Sequence, residues 1–310
     1  MQARRFIVGL IGSDLGPSLS PTLHEREGDE LGLRYVYQLI DLDALALDAE
    51  AVGELVTSAH RVGFAGLNIT YPCKQTVVKY LDELSPDAAA LGAVNTVVFR
   101  GGRAIGHNTD WSGFVTGFER GLPGAPVDRV VLLGAGGAGT AVAYALVRLG
   151  VRRLTVVDVV MERAERLAEV IRHALPALGS TASVEPYPTI EDAVDELAAA
   201  DGLVNATPVG MTLRRESPLP ASLLRPELWV ADIVYRPLRT ELLDLAHRAG
   251  CRTLNGGGMV VAQAAAALHL ITGVRPDLER MYRHFTAVTA GAGDAAAAAD
   301  ASVAPETQTA

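Results

Sequence analysis

The chain has 310 residues, 49% hydrophobic and 20% charged, a balance that excludes disorder along the whole length and leaves room for two domains of ordinary size. Its formal net charge of −9, with no cluster of Lys and Arg, argues against a nucleic-acid or anionic-membrane surface and favours small-molecule partners. Cys73 and Cys251 make no disulfide framework or CxxC pair, the histidines show no HxxxH or HExxH spacing, and no secretory signal precedes Phe6; the expectations are a reduced cytoplasmic compartment and no metal site.

From Phe6 the chain reads FIVGLIG, a short apolar strand, followed by a Gly/Ser/Pro loop and a helix beginning near Pro21. RYVYQLIDL (34–42) is a second strand, and an Ala/Leu-rich helix follows over about 48–62. GLNIT is a third strand, ended by Pro72, and KQTVVKYLDEL (74–84) reads as a proline-started helix. NTVVFRGGRAIGHNTD breaks the α/β rhythm with two short strands around Gly101-Gly102, the composition of a tight hairpin turn. A second α/β unit starts at Arg129 and runs through RRLTVVDV, a long helix from Met161, and GLVNATPVGM. From Gly256, a glycine turn leads into an Ala-rich helix that is apolar on most faces and should be buried between two lobes. The fold class is α/β, with mostly parallel sheets in two domains. The tail over 287–310, nearly half alanine, reads as a disordered extension.

The uncharged run VVLLGAGGAGTAVAYALV (130–147) approaches membrane-spanning length, but its glycines break any helix there. They stand as Gly134, Gly136 and Gly139, a G-x-G-x-x-G spacing directly after a strand and at the mouth of a helix. That context suits a dinucleotide: the turn is tight, the pyrophosphate approaches backbone, and the helix N-terminus offers free N–H groups. Gly134, Ala135, Gly136, Gly137, Ala138 and Gly139 are therefore candidate cofactor residues. The next strand ends in Asp158, 19 residues past Gly139, where an acid meets the adenosine ribose hydroxyls. A carboxylate there accepts from a 2′-OH and repels a 2′-phosphate, so NAD is expected over NADP; Arg163 would soften that repulsion or cover the adenine. The competing reading is a packed βα turn whose acid is a solvated strand end.

Seven ordered motifs, SLSP (18–21), NITYPCK (68–74), GAVNT (92–96), GHNTD (106–110), GAGGAG (134–139), NATPVGM (205–211) and GMVVAQAA (258–265), together resemble the shikimate dehydrogenase family over about residues 6–285. With Asp158, the chain is most similar to the NAD-dependent quinate/shikimate dehydrogenases of actinobacteria. The resemblance implies a catalytic α/β domain (1–110 completed by 257–286) facing a Rossmann domain (111–256) across a cleft. It implies Lys74 and Asp110 as the catalytic pair, Lys74 as base or as alkoxide stabiliser. Ser18 and Ser20 would hold a substrate carboxylate, while Thr70, Asn95, Asp110 and Gln263 meet ring hydroxyls, with Asn68 supporting and Tyr235 joining the substrate site. Thr207, Val209, Met211, Gly256 and Met259 would join the cofactor residues.

Each assignment has a structural alternative. Ser20 is a natural N-cap with Pro21 at N1. Lys74 fits a solvated first turn, Asp110 a cap of the helix WSGFVTGFERGL, and Gln263 a bond to a neighbouring loop. Asn68 and Thr70, two apart on a strand, share a face, as recognition groups on a cleft floor require. Cys73 as a nucleophile is the wrong chemistry for hydride transfer. The function expected is NAD-dependent interconversion of quinate or shikimate with the 3-dehydro ketones by a monomer or homodimer. The alternatives are an aminoshikimate or aminoquinate paralogue, an NADP-dependent shikimate dehydrogenase of aromatic amino acid biosynthesis, and a non-catalytic nucleotide-sensing module.

Overall fold

The computed structural model describes residues 4–16, 18–211 and 214–301, with side-chain surroundings to residue 290. The first of two six-stranded sheets contains β1 (Arg5–Gly12), β2 (Arg34–Asp41), β3 (Gly66–Ile69), β4 (Glu83–Leu84), β5 (Thr96–Arg100) and β6 (Arg103–His107), in the order β2-β1-β3-β5-β6-β4. Only β5 opposes its neighbours. It is half of the expected hairpin, whose turn places Gly101 and Gly102 at φ 59° and 76°, a conformation that glycine adopts without a Cβ penalty. On edge strand β2 the period of two is plain: Tyr35 and Tyr37 are buried, and Arg34, Val36 and Gln38 are exposed.

The helices of this half are α1 (Ser20–Glu30), α2 (Val52–Arg61), α3 (Cys73–Thr76) and α4 (Pro86–Leu91). The helix expected over 74–84 is not continuous. It stops at Thr76, continues as a 3-10 turn over Val77–Tyr80, and ends as β4, which pairs in parallel with β6. The β-branched run Thr76-Val77-Val78 is a poor helix interior, and pairing of Glu83–Leu84 with the sheet overrides local propensity.

A connecting helix, α5 (Asp110–Gly121), leads to the second sheet: β7 (Arg129–Leu133), β8 (Arg153–Val157), β9 (Ser183–Tyr187), β10 (Gly202–Asn205), β11 (Trp229–Asp232) and β12 (Arg252–Leu254). It is parallel throughout, in the order β12-β11-β10-β7-β8-β9, the doubly wound order whose direction reverses between β7 and β10. Its helices are α6 (Gly137–Arg148), α7 (Met161–Leu178), α8 (Val194–Ala198) and α9 (Glu241–Arg248). The uncharged run 130–147 is thus split into β7, a glycine turn and α6, and no helix among the described residues is long and apolar enough to cross a membrane.

The Ala-rich segment forms α10 (Gly257–Thr272), which returns to the first sheet. Leu268 and Ile271 pack with Val8, Leu10 and Val98, while Val261, Ala264 and Ala265 pack with Leu23, Met281 and Phe285. Against α5 it lies almost backbone to backbone: a Cβ on Gly113 would sit 2.8 Å from Gln263 Cβ, and one on Gly117 3.0 Å from the Met259 nitrogen. The last helix, α11 (Leu278–Ala301), is pinned to α1 by fully buried Glu27, which accepts from Arg280 Nη2 at 2.7 Å, Arg280 Nε at 2.9 Å and the Asp277 N–H at 2.8 Å.

α11 runs on through residues 287–301, part of the 287–310 tail that was expected to be a disordered extension; alanine is the best helix former, and composition alone underweights that. Residues 302–310 lie outside the described residues. The buried contacts of α11 are made by Met281 and Phe285. Deleting residues 291–310 is therefore expected to leave turnover unchanged and shift Tm by less than about 2 °C, a thermal-melt measurement that a drop of several degrees would contradict.

Candidate active site

β3 delivers the groups quoted for a cleft floor. Leu67 and Ile69 are buried on one face, and Asn68 and Thr70 are half-buried on the other, as the period of two requires. Thr70 stands one residue beyond the strand, where its methyl packs against Gly12. Pro72 then ends the extended run as N-cap of α3, and Lys74 projects from that short helix.

Lys74 Nζ donates to Asp110 Oδ2 at 2.6 Å, with the lysine side chain 22% exposed and the aspartate 3%. The N-cap of α5 is Thr109, so Asp110 is the first helical residue and its carboxylate does not cap. Its own N–H donates to Asn108 Oδ1 at 3.0 Å, and Asn108 Nδ2 is tied to the Ala93 carbonyl. Oδ1 of Asp110 accepts from Asn95 Nδ2 at 2.8 Å. Both oxygens are thus held, and the lysine is presented from a solvent-reachable side.

Behind this pair lies a chain of polar groups whose direction is fixed by what each can donate. Asn95 gives its other N–H to Thr109 Oγ1 at 2.9 Å, while its oxygen accepts from the Thr109 N–H at 2.8 Å and Thr96 Oγ1 at 3.0 Å. Asn68 Nδ2 donates to Thr96 Oγ1 at 3.1 Å and the Asn95 carbonyl at 3.3 Å, and its oxygen accepts from the Tyr37 hydroxyl at 2.8 Å. Both amides therefore have their N–H groups committed within the protein. Asn68 braces the segment that carries Asn95 and offers no free donor of its own.

Tyr37, Thr96, Asn108 and Thr109 were not anticipated. The signal for Tyr37 was its place two residues from Tyr35 on the buried face of an edge strand. Burial pushes the Tyr37 phenol up, and the Ser20 hydroxyl lies beside it. His24, 1% exposed, meets the Tyr35 hydroxyl at 3.1 Å and lies tilted against the Tyr37 ring; burial lowers it to about 3, so its imidazole is neutral. The N-cap reading of Ser20 does not hold. α1 starts at Ser20, its N-cap is Leu19 without a side-chain bond, and the Ser20 N–H donates to Ser18 Oγ at 3.3 Å. The two serines thus sit together at a helix N-terminus. Gln263 Oε1 is buried with no hydrogen-bond partner among the described residues. Cys73 is fully buried, and burial pushes its thiol up to about 11, which removes it as a nucleophile.

At the second sheet, the switch point between β7 and β10 holds the glycine turn. Gly134 has φ 94°, and a Cβ on Gly139 would lie 2.0 Å from the Gly134 carbonyl oxygen, so the turn tolerates no side chain at either place. Above Gly136 and Gly137 the space is open. Gly136 caps α6 without a side-chain bond, which leaves first-turn N–H groups free for a phosphate. Asp158 stands just past β8 and accepts from the Ala135 N–H at 2.8 Å and the Val160 N–H at 2.9 Å. The structure thus brings it to the turn, with acceptor capacity left on both oxygens. Arg163 is exposed in the first turn of α7.

Thr207 and Val209 form a turn closed on the Asn205 side chain; Met211 is 49% exposed beyond it. Gly256 is the N-cap of α10, and a Cβ there would meet the Ile233 carbonyl at 2.2 Å. Met259 joins Phe114, Asp232 and Asn255 around a small cavity, and Tyr235 is half-buried nearby in sequence. Among the described residues no group of three or more His, Cys, Asp or Glu is placed to hold a metal.

A family profile described as the shikimate dehydrogenase substrate binding domain matches residues 10–97. A shikimate dehydrogenase (NADP+) of Streptomyces avermitilis is 57% identical over 277 residues, covering 89% of this chain and 93% of that protein. The chain belongs to the shikimate dehydrogenase family. A quinate/shikimate dehydrogenase (NAD+) of Corynebacterium efficiens is 46% identical over 288 residues, 90% of this chain and 97% of that one. Among solved structures, quinate dehydrogenase from Corynebacterium glutamicum in complex with NAD matches with a TM-score of 0.84 at 45% identity, covering 92% of this chain and 99% of that one. These matches establish the expected two-sheet α/β architecture and a dehydrogenase of the shikimate/quinate type that uses a pyridine nucleotide. The Streptomyces avermitilis relative is named for NADP+, the Corynebacterium efficiens relative for NAD+, and the Corynebacterium glutamicum structure is a complex with NAD.

Proposed function

We propose that the protein interconverts shikimate or quinate with the corresponding 3-dehydro ketone, preferring NAD, with Lys74 and Asp110 as its catalytic pair. The observation that carries the catalytic half is the 2.6 Å Lys74–Asp110 bond, its carboxylate buried and its amine reachable from solvent. Oxidising a secondary alcohol removes a hydride from carbon and a proton from the hydroxyl. The nucleotide, when bound, takes or supplies the hydride. Lys74 is the group that handles the proton and the charge on the alcohol oxygen, and Asp110, held by Asn95, keeps the amine on station.

The remaining assignments follow the same geometry. Ser18 and Ser20, at the N-terminus of α1, seat the substrate carboxylate. Gln263 Oε1 has no hydrogen-bond partner among the described residues, and a ring hydroxyl would supply the missing donor. Thr70 contributes a hydroxyl to the floor, Asn95 and Asn68 act by bracing the pair, and Tyr235 walls the substrate. Residues 1–110 with 257–286 form the substrate unit, and 111–256 the cofactor unit. In the latter, residues 134–139, Thr207, Val209, Met211, Gly256 and Met259 surround the nucleotide. The two buried free thiols suit a reducing cytoplasm.

NAD preference rests on Asp158, whose carboxylate stands at the ribose end of the glycine turn. The NADP+ in the name of the Streptomyces avermitilis relative favours the opposite choice. Initial rates with quinate and shikimate, each against NAD and NADP, decide between them. The expected result is a higher kcat/KM with NAD for at least one substrate. A higher value with NADP for both would sink the preference, and absence of turnover with all four pairs would sink the enzymatic reading.

A further inference from the structure

Asn205 and Asp232 end the adjacent parallel strands β10 and β11 as register partners, 0% and 1% exposed. They lie at the carboxyl edge of the sheet, where a dinucleotide binds in this architecture. Every hydrogen-bonding position of the Asn205 amide is occupied. Its Nδ2 donates to Asp232 Oδ1 and to the Val209 carbonyl, each at 3.0 Å. Its oxygen accepts from the Thr207 N–H at 3.1 Å and Thr207 Oγ1 at 2.7 Å, and Thr207 Oγ1 accepts from the Val209 N–H. One side chain thus closes the turn over residues 207–209.

An amide can be seated in two orientations, and only one gives these bonds. An ionised carboxylate accepts and cannot donate, so Asp232 holds Nδ2 toward itself, the orientation that the Val209 carbonyl and the Thr207 N–H also require. The same carboxylate accepts from the Val234 N–H at 3.0 Å, next to Tyr235, and from Thr240 Oγ1 at 2.7 Å, the N-cap of α9. Gly210 has φ 102°, and a Cβ there would lie 3.4 Å from Thr240 Cγ2 and 3.6 Å from Asp232 Oδ2.

We propose that Asp232 is a positioning residue that fixes the cofactor loop over 207–211 and the substrate segment at 234–235 together, through the Asn205 amide and the Val234 N–H, and does so most firmly when ionised. The proposal rests on residues 207–211 serving the nucleotide. Among the described residues the groups facing Asp232 are uncharged: Asn205 from β10, Thr240 before α9, Phe114 and Gly117 from α5, Leu254 and Asn255 from β12 and its turn, and Met259 from α10. Burial pushes its carboxyl up to about 6 against the pull of its three donors. Protonation on Oδ2, where the Thr240 hydroxyl can turn to accept, leaves Oδ1 an uncharged and weaker acceptor and so weakens its bonds to Asn205 and Val234. Because the folded value lies above the ordinary one, acidification through this window stabilises the fold at this group while it loosens the loop. Activity and melting temperature therefore respond to this group in opposite directions.

The test is kcat and nucleotide KM from pH 5 to 8 for wild type, Asp232→Asn, Thr240→Val and Thr207→Val. Wild type is expected to show an acid limb near pH 6. Asp232→Asn should raise nucleotide KM about tenfold at pH 7.5, the scale of a lost charge-assisted bond, and abolish that limb. Thr240→Val, which removes a donor to the ionised form, should move the limb to higher pH. A stationary limb in Thr240→Val overturns the proposal even if Asp232→Asn fails to fold, and so does a wild-type KM with an unchanged limb in Asp232→Asn. Thr207→Val locates the failure. An unchanged nucleotide KM there refutes the loop assignment, and a raised one beside a silent Asp232→Asn refutes the role of Asp232.

Discussion

Lys74→Ala is expected to lower kcat by about 10²- to 10⁴-fold, the range of a positioned proton-transfer group, while substrate KM changes far less. The lysine amine is 2.6 Å from Asp110 and has no other hydrogen-bond partner among the described residues, so its free face is directed at whatever binds beside it. An interaction with the alcohol oxygen that strengthens as charge develops contributes to kcat; the carboxylate seat at Ser18 and Ser20 contributes to binding throughout. Removing the amine also leaves Asp110, 3% exposed on its side chain, with Asn95 and its own helix N-terminus for compensation. Thermal melting should accompany the kinetics, so that a fall in rate at intact Tm is read as chemistry. A kcat within tenfold of wild type for both quinate and shikimate would remove Lys74 from the mechanism.

Asp158→Asn combined with Val159→Arg is expected to lower kcat/KM for NAD by one to two orders of magnitude and narrow or reverse its preference over NADP. A charge-assisted bond to a ribose hydroxyl is worth roughly 1.5 to 3 kcal/mol, which sets that range. Asparagine also loses one of the two backbone bonds Asp158 now makes, because its amide nitrogen cannot accept from both Ala135 and Val160. Val159 is 89% exposed, so arginine sacrifices no packing there and brings a fork suited to a 2′-phosphate. The measurement is kcat/KM for both nucleotides in wild type and variant. A wild type that already favours NADP would show that Asp158 serves the glycine turn alone, and that Arg163 or another arginine holds the phosphate.

Much of this architecture was legible because the relevant signals are local. The glycine spacing before α6, the two-glycine hairpin turn and the period of β2 each follow from backbone sterics within a few residues. Lys74 and Asp110 were found through motifs, and the bond between them confirms that those motifs meet. What stayed hidden depends on partners distant in the chain. Nothing near Tyr37 announces that it orients Asn68, 31 residues away. Nothing in ADIVY marks Asp232 as buried, since an acid at a strand end is exposed or interior according to what the neighbouring strands bring. The break of 74–84 and the helix over 287–301 are the reverse case, where composition suggested one local state and pairing or propensity produced another.

The return of α10 and α11 to the first sheet has a consequence for how the chain is made. Glu27 is fully buried, and the arginine that neutralises it lies 253 positions later. Val8, Leu10 and Val98 likewise wait for Leu268 and Ile271. During synthesis from the N-terminus, the first half emerges with a bare apolar sheet face and an unmatched acid, and must remain so while the whole parallel sheet of the second half is produced and closed. The half that is translated first is therefore the half that is finished last.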